Sequence, residues 1–391
     1  MRVPNRTDVL ILGAGKIGAA IAELLIEGRY SVTVLDVQSA ALSRLGFLNC
    51  NVCVADINNE TILSAEISRH AAVISALPFG HNITVARLAA SADVHYFDLT
   101  EDVAVAREVK RLAVGASSAF VPQCGLAPGL VCVIGNTIAQ QFDDALSLQL
   151  RVGALPQYST NSLGYGLTWS TEGLINEYCN SCEAIIDGVS TSVEPLNDVE
   201  RIVVNGTEFE AFNTSGGLGS LCESWLGRLN ELSYKTLRYP GHRDRIKFLL
   251  RDLQMSKDRP TLIAILEKAI PRITQDFVVL LVSGTGMRDD RLEESSYSME
   301  VRSRERKGRI WTAIELTTAL GVCAMVELLF TGALPRRGFV KQEDAKLEDL
   351  LGNRYGKILC EVAELSQHTI GVSRPLGTPS FAPESNVVSL I

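Results

Sequence analysis

The hydrophobic positions follow two periods in alternation along the first third of the chain. Residues 7–16 (TDVLILGAGK) form a short apolar run that ends among glycines. Ile17, Ile21, Leu24 and Leu25 then recur on one helical face until Gly28 stops the pattern. The next buried run is SVTVLD, residues 31–36. Further strands are predicted at 52–56, 71–78, 94–100 and 118–125, with helices near 61–68, 82–91 and 103–114. Strands alternating with helices predict a parallel, doubly wound sheet of the Rossmann type, with helices on both faces. Ligands of such sheets bind beyond the carboxyl ends of the strands. Here those ends carry Asp56, Ser75, Ala76, Leu77, Pro78, His81, Asp98, Thr100 and Cys124.

Beyond residue 125 the texture changes. Pro128 suits the first turn of a helix, and polar and apolar residues alternate over 145–155 and 201–212. That alternation reads as antiparallel strands with one solvated face. Residues 168–186 begin as a helix capped by Ser170, and 247–253 and 260–269 are helical. Strand character returns at 277–286 and 295–303, and a strongly apolar helix is expected over 312–329. The organisation predicted is a dinucleotide-binding domain (1–125), an inserted α+β substrate and dimerisation domain (126–310), a helical return (311–365) and a loosely ordered tail (366–391).

Composition narrows the class. The chain has 391 residues, more than one domain usually holds, and it is 46% hydrophobic and 21% charged, as soluble globular proteins are. A net charge of -8 leaves no basic footprint, so neither nucleic acid nor an anionic membrane is expected as a partner. The longest apolar stretch, 319–330, is interrupted by Gly321 and Glu327 and is too short to span a bilayer. No leader precedes the first strand, and a cytoplasmic location is expected. The 9 cysteines are an odd number and read as free thiols of a reducing compartment. Cys50 and Cys53 fit a strand better than a zinc knuckle, and no metal is expected.

The glycine turn carries the first chemistry. Gly13 permits a tight turn, Gly15 lets backbone approach a pyrophosphate, and Gly18 allows helix and strand to pack closely. Lys16 and Ile17 complete the turn, and phosphates are expected at the helix N-terminus, where free N–H groups favour negative charge. Asp36 ends the second strand, where a carboxylate can accept from both ribose hydroxyls. A 2′-phosphate would meet like charge there, and Val37 and Gln38 supply no arginine. NAD is therefore expected, with NADP the weaker ligand.

Several motifs then stand in order: GAGKIG (13–18 with its flanks), SALP (75–78), YFDLTED (96–102), QCGLAPG (123–129), LGYGLTWSTEGLINEY (163–178), KTLRYPGH (235–242) and GFVKQED (338–344). Together they resemble the saccharopine dehydrogenase-like oxidoreductases, and within that group the lysine 6-dehydrogenase branch. The resemblance implies a Rossmann lobe built from both chain ends, an α+β substrate lobe, a homodimer, and oxidative deamination or imine reduction of an amino acid.

Such a substrate needs a cation for its carboxylate, preferably a bidentate guanidinium. Lys235, Arg238 and Arg243 lie within nine residues around a Pro-Gly turn, and Arg238 is the first choice as anchor. His242 in the same run is a candidate proton carrier. Asp98 and Cys124 end adjacent strands and are candidates to orient the amine or touch the nicotinamide; the alternatives are capping for Asp98 and packing for Cys124. Glu172 and Asn176 stand one helical turn apart and, with Trp169 and Tyr165, could meet an ammonium group at the far end of a lysine-like substrate. Two other functions remain open: a saccharopine- or carboxynorspermidine-type imine reductase, and a non-catalytic NAD-binding partner.

Overall fold

The computed structural model describes residues 7–371 and 388–390. The chain divides into two compact units, one of residues 1–133 and 315–362, the other of residues 134–314 and 363–391. The first break therefore falls inside a helix, not at residue 125.

The first unit opens with β1 (Asp8–Leu12), α1 (Lys16–Glu27), β2 (Ser31–Asp36), α2 (Ser39–Ser43), β3 (Asn51–Val54), α3 (Glu60–Ile67), β4 (Ala72–Ser75), α4 (Asn82–Ser91), β5 (His95–Asp98), α5 (Val103–Leu112) and β6 (Ala119–Val121). Each predicted strand and helix of this region is present, with its ends moved by no more than a few residues. Side-chain caps explain two of the helix starts: Asn59 accepts from Ile62 N and Asp102 from Val105 N. Burial of β1 and β4 on both faces explains their unbroken apolar runs. Strand β3 differs: it lies at the sheet edge, and Val52 and Val54 are exposed.

The second unit starts within α6 (Leu130–Ala139), followed by β7 (Asp144–Pro156), α7 (Thr171–Cys179), β8 (Cys182–Ile186), β9 (Val189–Val193), β10 (Glu200–Val204), β11 (Thr207–Asn213), α8 (Leu221–Trp225), β12 (Glu231–Arg238), α9 (His242–Lys247), α10 (Arg259–Ala269), β13 (Asp276–Arg288), β14 (Arg291–Arg302), β15 (Arg304–Arg306) and β16 (Arg309–Trp311). Ser170 caps α7 as predicted, its side chain accepting from Gly173 N, but the helix stops at Cys179 and β8 takes the remainder. A single π-type turn, Phe248–Asp252, follows α9 where a regular helix is predicted. The chain returns through α11 (Ala313–Thr331), β17 (Gly338–Phe339), α12 (Leu347–Gly352) and α13 (Arg354–Val362), then adds β18 (Ala363–Gly371) and β19 (Val388–Leu390).

Among the described residues the first unit holds a seven-stranded sheet, β17-β6-β5-β4-β1-β2-β3, every pair parallel. The strand order reverses beside β1, so the switch point lies at the carboxyl ends of β1 and β4. Among its described residues the second unit holds a ten-stranded mixed sheet running β18-β14-β13-β7-β12-β11-β10-β19, with β8 paired to β12 and β9 to β8. Alternate residues Leu148, Leu150 and Val152 of β7 are buried on one face, and a Cβ at Gly135 of α6 would stand 3.4 Å from the Leu148 and Leu150 side chains. Helix α6 packs on that face. A further apolar cluster joins Leu174 and Tyr178 of α7 to Ile246, Leu262 and Phe212.

Two expectations need correction. The tail is a strand from Ala363 to Gly371, paired antiparallel with β14; the rest of its predicted loose region, residues 372–387 and Ile391, lies outside the described residues. The apolar return helix is 19 residues long, enough by length and composition to cross a membrane, yet 83% of its apolar window is buried within the protein. Its Leu316, Ala319, Val322 and Val326 are core residues.

Candidate functional site

The glycine turn has the geometry its sequence requires. Gly13 adopts φ +100°, and an added Cβ would lie 2.9 Å from Ala76 O. A Cβ at Gly18 would lie 1.9 Å from Gly13 O, so α1 approaches β1 only because both positions are glycine. Gly15 is different: nothing lies within 4 Å of its would-be Cβ, and its φ of -66° and ψ of -176° suit any residue. Packing does not demand glycine there; an approaching ligand would. Gly15 caps α1 without a side-chain bond, no acid occupies the first turn, and Gly15 and Lys16 are exposed. The first N–H groups of a twelve-residue helix are thus presented to an anion.

Asp36 secures this turn from the neighbouring strand. Its Oδ2 accepts from Ala14 N at 2.7 Å and its Oδ1 from Gln38 N at 2.8 Å. A carboxylate has about four acceptor sites, so two remain for the hydroxyls of a ribose. Ile17, Ala76 and Leu77 are half-buried around the turn and Pro78 is exposed. Asp56 is exposed, and its Oδ1 accepts from Asn58 N and Asn58 Nδ2 in a local turn. The residues present fit a dinucleotide: a phosphate cradle, an open helix terminus and an acid beside them.

Asp98 and Cys124 meet at the ends of β5 and β6, in a sealed corner of the same unit. Asp98 is 0% exposed and accepts from Tyr96 Oη (2.7 Å), Thr100 N (3.0 Å) and Gln123 N (2.9 Å). Burial pushes its carboxyl above the usual range, against the pull of those bonds. It ties the loops after β5 and β6 together and does not cap α5, which Asp102 does. Cys124 is 1% exposed, donates to Val121 O and receives Gln342 Nε2 at 3.4 Å. Burial raises its thiol well above the ordinary value, so it packs and is no thiolate nucleophile. Cys50/Cys53 and Cys179/Cys182 have Cys-x-x-Cys spacing, but no cluster among the described residues could hold a metal.

The basic run 235–243 does not converge as its sequence suggests. Lys235 and Arg238 both belong to β12, and an odd separation along a strand puts them on opposite faces. Lys235 is buried and paired with Asp198 (2.8 Å) and Glu200 (3.0 Å), and Glu200 also binds Arg151. The Arg243 backbone N–H and guanidinium serve Glu210, Leu196 O and Asp244. Neither is an open anchor.

Arg238 is 3% exposed at the centre of a directed hydrogen-bond chain. His242 Nδ1 lies 2.8 Å from Leu163 O, which can only accept, so this nitrogen carries the proton. Its Nε2, 3.0 Å from Tyr178 Oη, then accepts from the phenol, and the phenol oxygen accepts from Arg238 Nε at 2.9 Å. Burial and the Arg238 charge push His242 down to about 3, so it stays neutral. With both nitrogens engaged and 1% exposure, His242 does not fit the proton-carrier role.

Helix α7 brings acids to this chain. Glu172 is exposed in the first turn, while Asn176 is buried and receives Arg259 Nη1 at 2.6 Å, so the two do not form a shared ammonium site. Trp169 Nε1 donates to Tyr165 Oη at 3.1 Å, and the Tyr165 ring lies 5.0 Å from the Arg238 guanidinium. Sequence reasoning missed Glu177, Thr168 and Arg259. Glu177 is 8% exposed and lies 3.6 Å from Arg238 Nη2, and burial pushes its carboxyl up to about 7. The available signal was an acid three residues after Leu174 and next to Tyr178, inside an apolar helical face.

Comparison with known proteins agrees with this architecture. The saccharopine dehydrogenase C-terminal domain matches residues 125–359 and the saccharopine dehydrogenase NADP binding domain residues 9–119. A saccharopine dehydrogenase [NADP(+), L-glutamate-forming] of Pyricularia oryzae is 25% identical over 276 residues, 68% of this chain and 61% of that protein. The Schizosaccharomyces pombe protein of the same name is 24% identical over 196 residues, covering 48% and 44%. This chain thus spans less than two thirds of either relative. The structure of apo saccharopine dehydrogenase (L-Glu forming) from Saccharomyces cerevisiae superposes with a TM-score of 0.75 at 17% identity, over 93% of this chain and 100% of that one, and so shares its fold. With the two domain matches spanning nearly all of both units, the chain belongs to the saccharopine dehydrogenase family.

Proposed function

We propose that this protein is an NAD-dependent oxidoreductase acting on the C–N bond of an amino acid, and that it deaminates a lysine-like substrate at its 6-amino group. The observation that carries the finer reading is the charge around α7 and β12. Lys235 and Arg243 are neutralised by acids of the chain itself, whereas Glu172 stands exposed at the start of α7. That balance suits a substrate with two amines and one carboxylate better than one with several carboxylates.

Asp36 supports NAD over NADP. A 2′-phosphate would meet its carboxylate, and Val37, Gln38, Ser39 and Ala40 offer no cation in return. A bound nicotinamide dinucleotide would supply the hydride acceptor for oxidation of the carbon that bears the nitrogen, with hydrolysis by water releasing ammonia. The chain's share is to hold the pyrophosphate on the Gly13–Gly18 turn, fix the ribose at Asp36 and orient the amine. A second reading, an NADP-dependent saccharopine-type imine reductase, is favoured by the names of both fungal relatives.

The test is to incubate the full chain with each nicotinamide dinucleotide and a panel of amino acids, following reduced nicotinamide by absorbance and ammonia by a coupled assay. Reduction with lysine and NAD, with matching ammonia release, is expected. Activity only in reverse, from an aldehyde and a carboxylated amine with NADPH, would replace this reading by the second.

A further inference from the structure

Three buried side-chain oxygens among the described residues of the second unit receive no hydrogen bond, and two of them belong to residues that act on Tyr165. Those two are Glu177 Oε2 and Thr168 Oγ1. Both residues are 8% exposed. Thr168 donates to the Tyr165 phenol, so its oxygen is unmet only as an acceptor, while Arg238 and Glu177 act on that phenol through their charges. Buried polar atoms are nearly always satisfied, and an orphan carboxylate oxygen is among the costlier exceptions. The guanidinium is under-used as well. Arg238 spends Nε on Tyr178 and one Nη1 hydrogen on Leu237 O, while Glu177 lies 3.6 Å from Nη2, beyond hydrogen-bond distance. Five N–H groups belong to a guanidinium, so this site holds unspent donors a few ångströms from unspent acceptors.

A group with an ammonium and a carboxylate on one carbon matches that pairing; a lone anion or a lone cation matches half of it. We propose that Glu177, Thr168 and Arg238 read the α-amino acid head group of the substrate. The α-ammonium docks on Glu177 Oε2 and Thr168 Oγ1, and the α-carboxylate on the unspent N–H groups of Arg238. This rests on the amino-acid reading above and adds which end of the molecule is recognised here; the other end is left free to react. Tyr165 belongs to segment 157–170, which contains neither helix nor strand, and stands between Gly164, at φ +59°, and Gly166. Leu163 of that segment lines an open recess of about 550 Å³ with Gly241, Asp244, Arg245, Phe248 and Leu249.

The experiment measures binding to the full chain by calorimetry, with L-lysine, 6-aminohexanoate (no α-amine) and 1,5-diaminopentane (no carboxylate). Wild type is expected to hold lysine at least about tenfold tighter than either analogue, the scale of one hydrogen bond to a charged group. Glu177→Gln and Thr168→Val should weaken lysine and leave 6-aminohexanoate unchanged, because that probe has no α-ammonium to lose. Lysine should also slow hydrogen exchange of residues 157–170. In a variant that melts as wild type does, equal losses for lysine and 6-aminohexanoate, or no loss for either, would overturn the proposal and assign the orphan oxygens to buried water. The analogue acts as an internal control for folding, since a misfolded variant loses every probe, and Thr168→Val then decides. The two readings separate cleanly. The predicted binding pattern without dinucleotide reduction removes deamination and keeps this site; turnover with a flat variant pattern does the reverse.

Discussion

Gly15 and Gly18 stand three residues apart, and the structure assigns them opposite sensitivities. In Gly15→Ala the new methyl meets nothing within 4 Å, and the backbone at φ -66° and ψ -176° already suits alanine. The folded state is unstrained while the unfolded chain loses freedom, so stability should be unchanged or rise by about 0.4–1 kcal/mol, roughly 1–4 °C in Tm. The methyl nevertheless occupies the approach to the open N–H groups of α1. Crowding of that kind costs about 1–3 kcal/mol, so the Kd for NAD should rise about 5- to 150-fold. In Gly18→Ala the methyl would lie 1.9 Å from a backbone carbonyl that cannot swing aside. That variant should lose about 1–3 kcal/mol or more of stability before any ligand is considered. Differential scanning calorimetry of both variants, paired with NAD titration, gives the two numbers for each. A Gly15→Ala protein that melts normally and binds NAD with wild-type affinity would refute the assignment of this turn as the phosphate cradle.

Three further outcomes follow from the same geometry. Asp36→Ala should weaken NAD by more than about tenfold, for loss of charge-assisted bonds to the ribose, and weaken NADP less, since a repulsion leaves with the carboxylate; equal losses in paired titrations would mean that Asp36 only braces Ala14 N. Cys124 should resist iodoacetamide in the native protein and react once unfolded, because burial raises its thiol pKa; native-state labelling found by mass spectrometry would contradict its packed position. Glu177 and His242 should give opposite pH slopes. The Glu177 carboxyl, raised to about 7, contributes stability that is present at acid pH and is lost as pH climbs from its ordinary range toward 7. His242, lowered to about 3, contributes stability present above its ordinary value and lost on acidification. The Tm difference between wild type and Glu177→Gln should therefore move against wild type as pH rises from about 5 to about 7; a constant difference would contradict the buried, desolvated carboxyl.

The nucleotide-binding unit was legible because its signals are local. Glycine spacing, an apolar run and a terminal acid sit within thirty residues of one another; Gly13 and Gly18 pack as their spacing implies, and Asp36 reaches the glycine turn through Ala14 N. The substrate region was legible in its elements and much less so in its site. Lys235, Arg238 and Arg243 look like one basic cluster when read along the chain, yet a strand sends Lys235 and Arg238 to opposite faces, Asp198 and Glu200 neutralise Lys235, and the adjacent Asp244 pairs with Arg243. His242 looks like an exposed turn histidine, but the chain folds Leu163 and Tyr178 onto its two nitrogens. Glu177 reads as one more charged helical residue until α7 is seen to be buried on nearly every side. Strand β8 was missed because Cys182–Ile186 continues a sequence with good helix formers, and it is pairing with β9 and β12 that decides its state.

The central claim is that the first unit binds a nicotinamide dinucleotide and that Asp36 selects the one without a 2′-phosphate. Calorimetric titration of the full chain with NAD and then NADP tests it most directly. Saturable heat with NAD, and an affinity for NADP weaker by about tenfold or more, as expected for a like charge placed against a partly buried carboxylate, is the result this account predicts. Tighter binding of NADP would contradict the role of Asp36, and no heat with either nucleotide would contradict the cofactor assignment itself.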